Sequence, residues 1–187
     1  MKIDIKNLTK CFGDKLLFDD FSYTFTEGQP TCILGESGCG KTTLLQMILG
    51  LEKPDEGCIE KSPGRISTVF QEDRLCEAFN PYVNIRMVCP EATHEEIDAE
   101  LSRLGFKLTH QSVSTLSGGE KRRVALVRAA MYGGDLFILD EAFRGLDPQT
   151  RMAAMEYMKE KSRGKTCIIV THDEQEAAFW GGNILKL

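Results

Sequence analysis

The first part of the chain alternates apolar and polar positions with the period of strands. Ile3 and Ile5 share one face of Lys2–Thr9, and Phe21, Tyr23 and Phe25 alternate with Ser22 and Thr24 as in a half-buried strand. Thr31–Leu34 is a short apolar run stopped by Gly35. A helix is predicted from about Lys41 to Leu49, ended by Gly50 with Pro54 just beyond. The middle, about 72–115, is poor in strand signals. It holds the helical stretch Glu95–Leu104, preceded by Thr93 and Glu96 at the spacing of a capping box, and reads as a small helical insert. From Gly118 on, helices at about 119–131, 149–162 and 174–179 alternate with strands at Leu136–Leu139, Thr166–Val170 and 184–187. Apolar strands alternating with helices predict an α/β fold with a mostly parallel sheet covered on both faces.

Length and composition narrow this picture. At 187 residues, 42% hydrophobic and 27% charged, the chain suits one globular domain and excludes disordered or collagen-like classes. The net charge of −5 argues against sequence-independent nucleic-acid binding, which depends on neutralising phosphates. The uncharged stretch Thr42–Leu51 falls well short of the roughly 20 residues that span a bilayer. The start, Met1-Lys2-Ile3-Asp4, has no apolar signal-peptide core, so a cytoplasmic protein is expected. The seven cysteines are scattered without a CxxC pair, which fits reduced thiols better than zinc or a disulfide framework.

Gly35-Glu36-Ser37-Gly38-Cys39-Gly40-Lys41-Thr42 fits GxxxxGK[ST] and lies between a predicted strand and a predicted helix, the context that makes the pattern meaningful. Glycines there let backbone N–H groups turn inward around phosphate oxygens, and the helix N-terminus adds positive potential. Lys41 can reach the β- and γ-phosphates, and the Thr42 hydroxyl can ligate Mg²⁺. The candidate nucleotide contacts in this segment are Gly35, Ser37, Gly38, Cys39, Gly40, Lys41, Thr42 and Thr43. Cys39 is either a small spacer or a reactive thiol favoured by the helix N-terminus. Downstream, Leu136–Leu139 ends in Asp140 and Glu141. Asp140 is placed to hold Mg²⁺ through water, and Glu141 to face an attacking water; the plain alternative is a buried strand entering a solvated loop.

Leu116-Ser117-Gly118-Gly119-Glu120 reads locally as a capping box that starts a helix, and equally as an anion site at a helix N-terminus. Taken with GESGCGKT, Gln71 in VFQED, FILDEA, Gly145-Leu146-Asp147 and His172 in VTHD, the order of motifs resembles the ATP-binding cassette (ABC) family over nearly the whole chain. The resemblance implies a P-loop NTPase fold of the ABC type, with an N-terminal antiparallel β subdomain and a small helical subdomain. It would divide the chain into an ATP-binding core, 1–71 and 118–187, and a helical subdomain at about 72–117 with the signature motif.

Residue roles follow from the same resemblance. Gln71 would contact Mg²⁺ or the attacking water. Ser117, Gly118 and Gly119 would close on the γ-phosphate of ATP held by a second cassette. Glu141 looks like the general base and His172 like the switch residue on the γ-phosphate. Asp147 would cross the dimer interface, and Phe12 would stack on adenine. Each has a plainer reading: Phe12 as core, Gln71 as an ordinary loop residue, His172 as a satisfied strand-end histidine, and Asp147-Pro148 as a helix start. Lys121, Arg122, Arg123 and Arg128 read as a solvated helix face. Phe79, Pro81, Tyr82, Val83, Ile85, Met87 and Val88 read as the insert's own core or as a groove for a permease helix. Ala142 departs from the proline the family usually carries after its Asp–Glu pair.

The branch resembled is that of bacterial importer ATPases for nitrate-, sulfonate- or taurine-like substrates. The implied function is ATP hydrolysis with Mg²⁺, coupled to transport at the inner face of the cell membrane. The implied partners are a second cassette in a homodimer, a transmembrane permease and a substrate-binding protein. The alternatives are an exporter ATPase subunit, a non-transport ABC ATPase and a nucleotide-binding regulatory module without turnover.

Overall fold

The computed structural model describes residues 1–107 and 110–187. Residues 108 and 109, inside the expected helical segment 72–117, lie outside the described residues. In chain order the elements are β1 (Ile3–Phe12), β2 (Lys15–Phe25), β3 (Pro30–Leu34), α1 (Lys41–Leu49), β4 (Glu56–Lys61) and β5 (Ile66–Val69). Then come α2 (Pro81–Arg86), α3 (His94–Arg103), a 3-10 turn (Val113–Thr115) and α4 (Gly118–Tyr132). The chain continues with β6 (Leu136–Asp140), α5 (Pro148–Lys161), β7 (Thr166–Val170), α6 (Glu174–Trp180) and β8 (Asn183–Lys186).

The described residues fall into two compact units. The first comprises Met1–Ile66, Gly134–Asp140 and Gly164–Leu187; the second comprises Ser67–Gly133 and Glu141–Arg163.

The first unit holds an antiparallel sheet in the order β2-β1-β4 and the parallel strands β6-β7-β3-β8. β5 carries the chain onward into the second unit. β6 and β7 are buried along their whole length, which is why they read as unbroken apolar runs rather than alternations. Ile33, Leu136, Ile138, Ile168 and Val170 share one core with Leu44, Leu45 and Ile48 of α1. Ile3, Ile5, Leu8, Phe18 and Phe25 of the antiparallel sheet join the same core. The alternation read over 21–25 is present, and Tyr23 packs edge-on against Phe25 with ring centroids 4.9 Å apart.

Two strands are not visible in the hydrophobic pattern. β4 is exposed along most of its length and exists through its pairing with β1, where Ile5 meets Ile59 and Lys6 meets Cys58. β5 has only four residues, too few for a period to register.

In the second unit α2, α3 and α5 pack on α4. The capping box expected at Thr93 is present: its hydroxyl accepts from the Glu96 amide at 3.2 Å and the Glu96 carboxylate accepts from the Thr93 amide at 2.9 Å. Buried Asn84 accepts from the Cys76 amide and donates to the Cys76 and Asn80 carbonyls, closing the loop before α2.

The arginines of α4 correct the expectation of a solvated face. Arg122 is buried, with its Nε 3.1 Å from Asp73, and Arg128 is half-buried. Arg123 is partly buried and donates to the Leu104 and Gly105 carbonyls. Lys121 alone fits a surface role, paired with exposed Glu77 at 2.9 Å. Residues 70–74 and 104–105 carry carbonyls outside regular structure, and an arginine fork can satisfy two of them at once, which no helix-surface pattern announces.

Candidate functional site

The P-loop of the first unit begins where β3 ends. Gly40 caps α1 in a left-handed conformation, φ 108° and ψ 2°, that a side-chain-bearing residue rarely adopts. It also lies against Phe18: a Cβ at Gly40 would stand 2.8 Å from the ring. The glycine therefore lets the backbone pass close over the core and turn its amides outward.

Among the described residues, α1 is the one α-helix that starts without a side-chain cap. Asn80, Thr93, Ser117, Asp147 and Asp173 each cap the helix that follows them. The first amides of a helix need partners, and α1 has no carboxylate in its first turn either. Positive potential is thus left undischarged at the mouth of the loop, as anion binding requires.

Lys41 reinforces it. Its buried ammonium donates to the Gly35 and Glu36 carbonyls at 2.7 and 2.8 Å and sits 3.8 Å from Cys39 Sγ, so the side chain spans the loop it belongs to. Ser37 and Gly38 are exposed, Gly35 and Cys39 are half-buried, Thr42 is exposed and Thr43 is half-buried. Lys15 at the start of β2 donates to the Gly38 carbonyl at 3.1 Å, a second cation on the loop that the sequence did not announce. It comes from a distant strand, so no local pattern could place it.

Asp140 ends β6 in the same unit and is buried, opposite Val170 at the end of β7. His172 follows β7 after Thr171, is exposed, and precedes Asp173, which caps α6. The P-loop, Asp140 and His172 therefore leave the C-terminal ends of parallel strands β3, β6 and β7, the edge where open α/β sheets bind ligands. Phe12, at the end of β1, is 48% exposed with the Lys10 ammonium 5.0 Å from its ring centroid. The core reading of Phe12 is thereby corrected: a ring this open is not held by packing.

The donors suit Mg²⁺, which takes one or two carboxylates, a hydroxyl and phosphate oxygens rather than an all-protein cage. Thr42 and Asp140 are of that kind. Among the described residues no group of three or more His, Cys, Asp or Glu could hold a metal unaided.

The remaining candidates belong to the second unit. Gln71 is exposed in the loop before α2. Ser117 caps α4, with the Glu120 carboxylate accepting from its amide at 2.8 Å and from its hydroxyl at 2.7 Å. Those two bonds hold the Glu120 carboxyl below its ordinary range. Gly118 and Gly119 form the first turn, and a Cβ at Gly118 would meet nothing within 4 Å. Asp147 caps α5 by accepting from the Gln149 and Thr150 amides, both at 3.1 Å, with Pro148 in the first turn.

Glu141 follows Asp140 at φ 45°, a left-handed conformation that is strained for a glutamate and frequent at functional positions. Its carboxylate accepts from Arg144, three residues on, at 3.1 Å. Ala142 and Phe143, the next two residues, are buried. Of the apolar stretch in the insert, Pro81 and Ile85 are buried, whereas Phe79, Met87 and Val88 are exposed. The buried residues fit the insert's own core, and the other three lie at the surface.

Comparisons with known proteins show the family. The ABC transporter family model matches residues 18–144. The aliphatic sulfonates import ATP-binding protein SsuB 1 of Nocardia farcinica is 37% identical over 191 residues, covering 99% of this chain and 77% of that protein. The spermidine/putrescine import ATP-binding protein PotA of Bacteroides thetaiotaomicron is 35% identical over 204 residues, covering 99% of this chain and 44% of the relative. The Nod factor export ATP-binding protein I of Burkholderia lata is 37% identical over 195 residues, covering 94% and 64%. The chain thus spans under half of the PotA relative and somewhat under two thirds of the export relative. A solved dimeric bacterial ABC transporter cassette, MJ0796, superposes with a TM-score of 0.86 at 26% identity, covering 99% of this chain and 94% of that one. The same cassette has been solved bound to ADP and Pi in a post-hydrolysis state. With its P-loop, its capped signature helix and a family match over most of its length, the chain belongs to the ABC transporter family as an ATP-binding cassette.

Proposed function

We propose that this chain binds and hydrolyses ATP as the cassette subunit of an ABC transporter, working in import. The observation that carries the reading is the uncapped N-terminus of α1, spanned by Lys41 and sharing a strand edge with Asp140. A helix end left open while every other described α-helix is capped is built to receive an anion.

Lys41 exchanges its loop carbonyls for the β- and γ-phosphate oxygens, and the loop amides orient them. Thr42, Asp140 and Gln71 would hold Mg²⁺, which offsets phosphate charge when bound. Glu141 orients and deprotonates the attacking water, and His172 contacts the γ-phosphate. Phe12 offers an exposed ring for adenine.

A second cassette would supply Ser117, Gly118 and Gly119 to the same ATP, with Asp147 at the interface; the dimeric MJ0796 cassette supports this arrangement. No helix among the described residues is long and apolar enough to cross a membrane, and the importer relatives support a transmembrane permease as the partner. Exposed Phe79, Met87 and Val88 offer it an apolar surface. The importer relatives support import; a place at the inner membrane face and a substrate-binding protein as a further partner belong to the same proposal. The export relative, equally similar in identity, keeps the exporter reading as the alternative.

The test is Glu141→Gln. Nucleotide binding should persist, turnover should fall by at least about 100-fold, and an ATP-dependent dimer should accumulate by size-exclusion chromatography. Unchanged turnover removes Glu141 as the base. A wild-type chain that binds no nucleotide removes the function itself.

A further inference from the structure

Residues 70–74, the segment that carries Gln71, have no regular structure of their own, yet four of their five carbonyls are taken by two arginines of α4. Arg122 donates from Nη1 to the Phe70 carbonyl at 2.7 Å and from Nη2 to the Gln71 carbonyl, and its Nε faces Asp73 at 3.1 Å. Arg128 donates to the Arg74 carbonyl at 2.8 Å and the Asp73 carbonyl at 3.0 Å. The segment is drawn tight: Arg74 adopts φ 45° and its guanidinium stacks on the Phe70 ring at 3.7 Å. Just before it, the Ser67 hydroxyl donates to the Ala129 carbonyl of α4 at 2.6 Å.

Burying a guanidinium is costly unless its donors are satisfied. Arg122 is only 8% exposed, and all three of its nitrogens face oxygens of residues 70–73. A helix face serving packing alone would carry an apolar residue here. The planar fork is suited to fixing two successive carbonyls in one orientation, which a lysine cannot do.

The same helix is capped by Ser117, five positions before Arg122. The signature turn and the Gln71 segment are therefore tied to one rigid rod.

We propose that Arg122, supported by Arg128, is a positioning residue that sets the Gln71 backbone and ties its placement to the helix of the signature motif. This rests on the function proposed above. Gln71 itself stays exposed, while its carbonyl accepts from Arg122.

The test compares wild type, Arg122→Ala, Arg122→Gln and Arg122→Lys, each also in a Gln71→Ala background. Arg122→Ala and Arg122→Gln should lower kcat by about 10- to 100-fold with KM changed less than about twofold, because a misplaced group costs the reaction rather than binding. Arg122→Lys, which keeps the charge and one donor, should recover part of the loss and serves if the shorter variants fold poorly. In the Gln71→Ala background the same substitutions should add less than about twofold, since residues acting through one group are not additive. Hydrogen exchange of the 68–76 backbone should quicken in Arg122→Gln while that of 41–49 stays unchanged.

Full additivity in the Gln71→Ala background, or unchanged exchange at 68–76, overturns the proposal. If the wild-type chain hydrolyses no ATP, the functional reading fails, while the exchange measurement still decides whether Arg122 holds the segment.

Discussion

Gly40→Ala puts the P-loop argument to a quantitative test. Two costs combine. The first is backbone strain: at φ 108° an L-residue pays roughly 1–2 kcal/mol. The second is steric. The new methyl would stand 2.8 Å from Phe18 Cζ and 2.9 Å from Cε2, closer than carbon atoms tolerate. Phe18 is buried, with the Phe21 ring 5.4 Å away, so its ring can move only by disturbing packed neighbours. Overpacking of that kind costs about 1–3 kcal/mol. The combined loss is roughly 2–5 kcal/mol, a large fraction of the 5–15 kcal/mol typical of a folded domain. For a chain of this length it lowers Tm by roughly 4–20 °C.

Gly50→Ala is the matched control. Gly50 ends the same helix at φ 76° with nothing within 4 Å of a Cβ, so only the backbone cost of about 1 kcal/mol applies. Chemical denaturation gives the two stabilities, and titration with a fluorescent ATP analogue reads the loop. Gly40→Ala should lose nucleotide binding and Gly50→Ala should keep it. Phe18→Leu placed on Gly40→Ala should recover part of the stability, since it removes the clashing ring atoms. The contact argument is refuted if the two glycine variants are equally stable within about 0.5 kcal/mol, the range of additivity error.

Alkylation of Cys39, whose Sγ faces the Lys41 ammonium, should block nucleotide binding; full affinity after modification confirmed by mass spectrometry makes it a spacer. Glu100 carries a pH prediction. Burial pushes its carboxyl up, but hydrogen bonds from Lys161 at 2.7 Å and Tyr157 at 2.6 Å outweigh this and hold it below its ordinary value of 4.5. A depressed carboxyl contributes stability that is present above about pH 4.5 and is lost as pH falls through the folded pKa. Glu100→Gln should therefore flatten the acid limb of the stability profile below about pH 4.5, and an unaltered acid limb would remove Glu100 from that transition.

Much of the fold and of the candidate site was legible because the signals are local. GESGCGKT, the capping boxes at Thr93 and Ser117, and Asp147-Pro148 act within one turn of chain, so residue type and spacing suffice to read them. The buried runs of β6 and β7 were equally plain, because a strand covered on both faces must be apolar throughout. β4 was not legible. Its polar residues make a strand only because the β1 backbone lies beside them.

The sequence alone determined the order of motifs, the helix starts and the apolar strands that end at them, since each depends on neighbours a few residues away. Tertiary structure decided what those neighbours cannot encode. It left α1 uncapped above Phe18, brought Lys15 from β2 to the Gly38 carbonyl, and turned Phe12 outward. It also buried Arg122 against carbonyls some fifty positions earlier in the chain. An arginine on a helix reads as a solvated charge until the fold supplies oxygens for its fork, and only chain packing brings those oxygens within reach.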